Sequence, residues 1–216
     1  RYTQESACLD CGEPFPELAP QLFSFNSPHG ACPACNGLGT QVQDDAAGEG
    51  TAEQPCPKCA GARLRHESLQ VRINNMNIGE LSALSLRDFA LFIHGVCLTE
   101  HETDVAENLL REIRERTATL LELELGYLSL SRSSRSLSGG EYQRVRLAAH
   151  ISVRLSGVIF VLDEPTVGLH PRDTARLLAI LRELRDAGNT VLVVEHDRDI
   201  ITAADYVIDM GPGAGE

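Results

Sequence analysis

The chain has 216 residues, 43% of them hydrophobic, and a formal charge of -12. That length suffices for one large or two small domains burying roughly 70% of the unfolded surface, and no apolar run reaches the ~20 residues of a membrane span. The charge balance repels nucleic acid at long range, so any DNA contact must be local.

From Arg1 to about Gly61, the chain is rich in Cys, Pro and Gly. Six of its seven cysteines form the pairs Cys8/Cys11, Cys32/Cys35 and Cys56/Cys59, with 20 residues between successive pairs. No secretory leader precedes them, so the pattern reads as metal ligation in a reducing compartment, the cytoplasm. Two such pairs make a tetrahedral thiolate site for Zn²⁺. Gly12, Gly37 and Gly61 suit the tight knuckles that turn N–H groups toward sulfur. The equal spacing leaves open which neighbour Cys32/Cys35 joins. Within this zinc module, expected over 1–40, the alternation in Leu22-Phe23-Ser24-Phe25 predicts a short strand. Gln41 to Gln54 is polar and aperiodic, which predicts a linker or shortened insertion over 41–55.

A mostly helical region is expected over 56–156. Val71 and Ile73 alternate as a strand, Leu86 to His94 carries helical spacing, and Val105, Leu109 and Ile113 mark a longer helix over 104–120. Cys97 lies alone in an apolar stretch and reads as a packed residue. Leu137-Ser138-Gly139-Gly140-Glu141 opens a further helix reaching about Leu155, with Ser138 as N-cap. Two glycines let the backbone approach a phosphate, and the free N–H groups of the first turn favour an anion.

After Gly157 the rhythm is strand, helix, strand, helix, strand: Val158–Leu162, Arg172–Arg185, Thr190–Val194, Arg198–Ala203 and Tyr206–Met210. The strands are almost wholly apolar, which predicts a parallel sheet covered on both faces. The first ends in Asp163 and Glu164, at the sheet edge where open α/β sheets bind ligands. Asp163 is placed to hold Mg²⁺ and Glu164 to orient and deprotonate a water. The next strand ends in Glu195-His196-Asp197, where His196 is placed to hydrogen-bond a γ-phosphate and sense its loss.

The signature turn Leu137–Glu141, the acid-tipped strand and His196 together resemble the ATP-binding-cassette family. The fold class expected is therefore α/β, a partial cassette nucleotide-binding core over 157–216 joined to a helical signature domain and a four-cysteine zinc module. The resemblance implies ATP and Mg²⁺ as ligands, with Ser138, Gly139, Gly140 and Glu141 closing over ATP held by another half. The family's phosphate-binding loop needs Gly-Lys-[Ser/Thr], and the single lysine of the chain is Lys58, between Pro57 and Cys59. A fragment of this kind is expected to be inactive alone. The start at Arg1 and the Gly-rich ending from Gly211 likewise read as an internal piece.

Three stretches resemble the UvrA family more closely. They are Leu22 to Gly39, Leu162 to Arg172 with its Gly168-Leu169-His170, and Asp209 to Glu216. That resemblance implies the N-terminal nucleotide-binding half, with one zinc held by Cys8, Cys11, Cys32 and Cys35 and with Cys56/Cys59 as half of another site. It also implies a second cassette half and a homodimer partner, double-stranded DNA, and a UvrB-like excision partner, with no membrane. The family usually carries a sizeable insertion between the second and third pairs, and the short stretch here resembles the paralogous short-insertion class. Arg132, Arg135, Arg144, Arg146 and Arg154 either touch a DNA backbone or pair with the chain's own carboxylates.

Three rival readings exist. A transporter ATPase subunit shares the cassette motifs but leaves the cysteine pairs unexplained. A DnaJ-type zinc module fits Cys32-Pro33-Ala34-Cys35-Asn36-Gly37-Leu38-Gly39 but leaves the signature and carboxylates unexplained. A Rad50-like ATPase would need a heptad run beside a cysteine pair.

Overall fold

The computed structural model describes Phe15 and residues 17–44, 51–153 and 156–211. The chain folds as two compact units that divide between Leu84 and Ser85.

In the first unit, Leu22 to Phe25 does not form the expected strand. Pro20, fixed in φ, starts a 3₁₀ turn over Pro20–Phe23 that buries Leu22. The polar stretch read as a linker or shortened insertion forms an antiparallel pair, β1 (Thr40–Asp44) with β2 (Thr51–Pro55), in register from Thr40↔Pro55 to Asp44↔Thr51, which sets aside the aperiodic linker alone. Its ladder hydrogen bonds run between backbone groups, so the pairing forms without an apolar stripe. Helix α1 (His66–Gln70), the short antiparallel pair β3 (Arg72–Ile73) and β4 (Met76–Asn77), and α2 (Ile78–Ala83) complete the unit. Asn77 and Glu80 form a reciprocal capping box at the start of α2.

The second unit begins with α3 (Leu86–Gly95), capped by Ser85, and α4 (Glu100–Glu122), capped by Thr99 with Glu102 reaching back. Helix α5 (Gly139–Val153) carries the signature turn at its start. Strands β5 (Ile159–Asp163) and β6 (Thr190–Val194) pair in parallel, from Ile159↔Thr190 to Asp163↔Val194, through the crossover helix α6 (Pro171–Asp186). A last short helix, α7 (Arg198–Ala203), starts on an Asp197 cap.

One apolar core joins the two parts of this unit. Leu86, Leu123, Leu125 and Leu128 pack with Leu147 of α5, Phe160 and Leu162 of β5, Leu177, Ile180, Leu181 and Leu184 of α6, and Ile200 of α7. Burying each such side chain stabilises the fold by about 1.5–3 kcal/mol before conformational entropy is counted.

The strand alternation sends Phe160 and Leu162 inward, while Ile159, Val161, Leu192 and Val194 stand 50–68% exposed. The expected cover on both faces is thus present on one face among the described residues. Tyr206 to Met210 was expected as a third strand and is irregular and exposed, because it finds no ladder partner among the described residues.

Candidate nucleotide-binding edge and cysteine centre

The parallel ladder closes with the Glu164 N–H donating to the Val194 carbonyl at 2.8 Å, and just past it the chain turns sharply. Glu164 takes a φ of 46°, in the left-handed region that a residue with a side chain occupies only at a cost. Its carbonyl accepts from Val167 N–H at 3.0 Å, so the turn is held on both sides. The turn brings Glu164 Oε1 to 3.3 Å from Nε2 of His196, a strongly exposed side chain. Asp163 is exposed, and its carboxylate makes none of the hydrogen bonds or ion pairs among the described residues. An unencumbered carboxylate at the C-terminal edge of a parallel sheet suits a hydrated Mg²⁺.

At the signature turn, the Ser138 Oγ accepts from Glu141 N–H at 3.3 Å while Glu141 Oε2 accepts from Ser138 N–H at 2.7 Å. This reciprocal pair satisfies two donors at the helix start. Glu141 is buried and gathers two further donors, the Tyr127 hydroxyl at 2.6 Å and Arg132 at 3.5 Å. The Tyr127 hydrogen bond, with the Ser138 N–H and Arg132 beside it, holds the Glu141 carboxyl below the usual carboxylate range. Burial and the facing Glu141 push the Tyr127 phenol up. Gly139 is exposed, and a Cβ there would meet nothing within 4 Å, so space for a ligand lies open above the turn.

Arg144, read from the sequence as a DNA-contact or ion-pair candidate, and Glu195, which the sequence left without a role, tie these pieces together. Arg144, 3% exposed, donates Nη1–H to the carbonyls of Pro165 at 3.4 Å and Val167 at 3.2 Å. Glu195 accepts on one oxygen from Thr166 N–H and Oγ–H at 2.9 and 2.5 Å, and on the other from His196 and Asp197 N–H at 2.9 and 3.1 Å. Burial would raise the Glu195 carboxyl, but the Thr166, Asp197 and His196 donors outweigh it and hold the group low. Alternation along β6 was the available signal: Val191, Val193 and Glu195 share the inner phase, where an acid requires partners.

Of the arginines, Arg132 engages Glu141 and the Ser136 carbonyl, Arg144 is committed to the loop carbonyls, and Arg146 lies 6.0 Å from the Tyr142 ring centroid. Arg135 is exposed, and Arg154 lies outside the described residues.

In the first unit, Cys32, Cys35, Cys56 and Cys59 bring their sulfurs within 4.8 Å of one another, all buried. This corrects the expected ligand set of Cys8, Cys11, Cys32 and Cys35, and with it the expectation that Cys56/Cys59 is half of another site. Cys8 and Cys11 lie outside the described residues. The reason is the hairpin: Cys56 N–H donates to Gly39 O at 2.9 Å and Cys32 N–H to Arg63 O at 2.8 Å, so the second and third knuckles are zipped together. At Gly37 the φ of 78° matters, because a Cβ would fall 2.1 Å from the Phe25 carbonyl oxygen.

Zn–S bonds of about 2.3 Å in a tetrahedron set sulfurs about 3.8 Å apart. Cys35 and Cys59 Sγ are 3.7 Å apart, and Gly39 N–H donates to Cys35 Sγ at 3.3 Å, so the donor set fits Zn²⁺. The N–H groups of Cys59 and Lys58 help hold the Cys56 thiol down to about 7, whereas burial pushes Cys59 up to about 12. Cys97 is exposed rather than packed.

No protein-family model matches the chain. It is similar to UvrABC system protein A of Listeria monocytogenes, 34% identical over 321 residues, covering 100% of this chain and 34% of that protein. The corresponding protein of Methanothermobacter thermautotrophicus is 35% identical over 322 residues, again across 100% of this chain and 34% of the relative. The matched region is longer than the 216 residues here, so these relatives carry additional residues within it. Among solved structures, UvrA2 from Deinococcus radiodurans aligns with a TM-score of 0.72 and 38% identity, over 90% of this chain and 22% of that one. The chain thus spans about a third of the length of the curated relatives it matches.

Proposed function

We propose that, over the segment it spans, the chain belongs to the UvrA family and is part of a cassette-type ATPase that binds DNA and recognises damage in nucleotide excision repair; the similarity to UvrABC system protein A along the whole of this chain supports that reading. The observation that carries this reading is the meeting of Glu164 and His196 at one sheet edge, beside an open, capped glycine turn on α5.

In this reading the chain contributes to two composite sites. Ser138 Oγ and the free N–H groups at Gly139 and Gly140 present hydrogen-bond donors to the γ-phosphate of ATP held by a facing half, and Glu141 fixes Ser138 for that task. At the other site, Asp163 holds Mg²⁺, which when bound neutralises charge on the phosphates. Glu164 accepts the proton of the attacking water, and His196 donates a hydrogen bond to the γ-phosphate. The phosphate-binding loop of that site comes from a segment other than the residues here, a second cassette half and a homodimer complete the assembly, and a UvrB-like protein takes over the marked DNA.

The four buried thiols hold Zn²⁺ as a structural centre, because four protein ligands leave no open position for chemistry. Four free thiols gathered for a metal accord with a reducing compartment, the cytoplasm. Among the described residues no helix is long and apolar enough to cross a membrane.

The test is Glu164→Gln in the full-length protein that carries this chain. ATP should still bind, while turnover falls by at least about 100-fold. Normal turnover in that variant would remove the water-activating role and, with it, this assignment of the edge.

A further inference from the structure

We propose that Glu195 is a positioning residue for ATP hydrolysis: its carboxylate latches the loop that follows Glu164 to the turn that carries His196. The proposal rests on the reading of this edge as an ATP site. The last described backbone hydrogen bond between the two strand ends is Glu164 N–H to Val194 O. Beyond it, among the described residues, their connection passes to a side chain. One Glu195 oxygen receives both Thr166 donors and the other receives the N–H groups of His196 and Asp197.

A simple capping role does not account for this arrangement. Helix α7 is already capped by Asp197, whose Oδ1 accepts from Asp199 and Ile200 N–H at 2.9 and 3.3 Å. Glu195 is instead spent on two loops, each of which carries a residue of the edge. On the Glu164 side the loop is fixed on either flank of Thr166, since Arg144 holds the carbonyls of Pro165 and Val167. Between them Thr166 is joined to the β6 side, and among the described residues Glu195 makes that join. The distance of 3.3 Å between His196 and Glu164 depends on both loops keeping their places.

The geometry also specifies how the latch breaks. Four N–H or O–H donors converge on the two oxygens, so a glutamine keeps one accepting oxygen but turns an NH₂ group toward donors on the other side. Glu195→Gln therefore unlatches one loop while preserving volume.

The experiment measures ATP turnover of the full-length protein as wild type, Glu195→Gln, Thr166→Val, His196→Ala and Glu195→Gln/His196→Ala. We expect Glu195→Gln to lower kcat about 10-fold with the KM for ATP within about twofold, and to cost less than about twofold more once His196 is alanine. Thr166→Val, which removes one hydroxyl, should lower kcat a few-fold even if the glutamine variant fails to fold. Amide exchange at His196 and Asp197 should quicken in Glu195→Gln. Wild-type kcat in both Glu195→Gln and Thr166→Val would overturn the proposal, as would a full multiplicative loss in the His196→Ala background. A wild-type protein that turns over ATP while these variants match it sinks the latch alone; a wild type without ATPase activity sinks the reading of the edge as well.

Discussion

His196 Nε2 stands 3.3 Å from Glu164 Oε1, although the two residues end different strands and the histidine side chain is 84% exposed. An exposed contact of this kind contributes little to stability, so on the proposed reading of this edge its loss should show in turnover. His196→Ala should accordingly leave the thermal midpoint within about 2 °C of wild type. Single-turnover ATP hydrolysis should meanwhile fall about 100-fold, the ordinary scale of losing one positioned donor. A large drop in the midpoint with unchanged turnover would reverse the assignment.

The cysteine centre makes a sharper demand, because the hairpin and not the spacing selects its ligands. Metal analysis should find one zinc per chain, retained in Cys8→Ser/Cys11→Ser and lost in Cys32→Ser or Cys56→Ser. Removal of the metal by a chelator should make four further thiols reactive, those of Cys32, Cys35, Cys56 and Cys59. Loss of zinc in the Cys8/Cys11 variant would restore the pairing that the family resemblance implied.

That difference shows which features were legible in the chain. Apolar periodicity marks α3 and α4, and the Ser138 cap marks α5, but the first turn of α4 goes unmarked: the helix starts at Glu100 behind a Thr99 cap, four residues before the expected start, because that turn is polar and carries no apolar repeat. Apolar runs ending in Asp163-Glu164 and Glu195-His196 located β5, β6 and the edge. What could not be read depends on partners distant in the chain. The β1–β2 hairpin is polar, so its pairing is carried by backbone bonds that leave no side-chain signal. Conversely, Tyr206 to Met210 has the composition of a strand and no neighbour among the described residues to pair with. The role of Glu195 was hidden for a third reason, because its four donors come from Thr166 and from backbone N–H groups, which no motif records.

Acid should act through Glu141. Its folded carboxyl is held below the usual range, chiefly by the Tyr127 hydroxyl and the Ser138 N–H, so its contribution is present above about pH 4.3 and is lost as pH falls through the folded value. Tyr127→Phe removes the 2.6 Å donor, raises the Glu141 carboxyl toward its ordinary value, and should cost about 1 kcal/mol at pH 7. Urea midpoints of the variant and the wild type should then converge on acidification. A gap that stays constant down to pH 3 would assign the loss to packing of the ring instead.

The two signature glycines should separate stability from turnover. At Gly140 a Cβ would lie 3.1 Å from the Val167 carbonyl oxygen and 3.5 Å from Arg144 Nη1, so Gly140→Ala must displace a loop carbonyl that a buried arginine already holds. A loss of about 1 kcal/mol is expected there, with Thr166 and Glu195 disturbed in turn. At Gly139 nothing lies within 4 Å, and alanine favours the helix over glycine, so Gly139→Ala should leave the unfolding midpoint equal or slightly higher. On the proposed reading, the new methyl group would occupy the open space through which a phosphate would reach the first N–H groups of α5. ATP turnover of the full-length protein should therefore fall at least 10-fold in Gly139→Ala, an estimate of about the scale of one lost donor, with no loss of stability to explain it. A Gly139→Ala protein that is both stable and fully active would show that the exposed glycine turn is a helix start and nothing more.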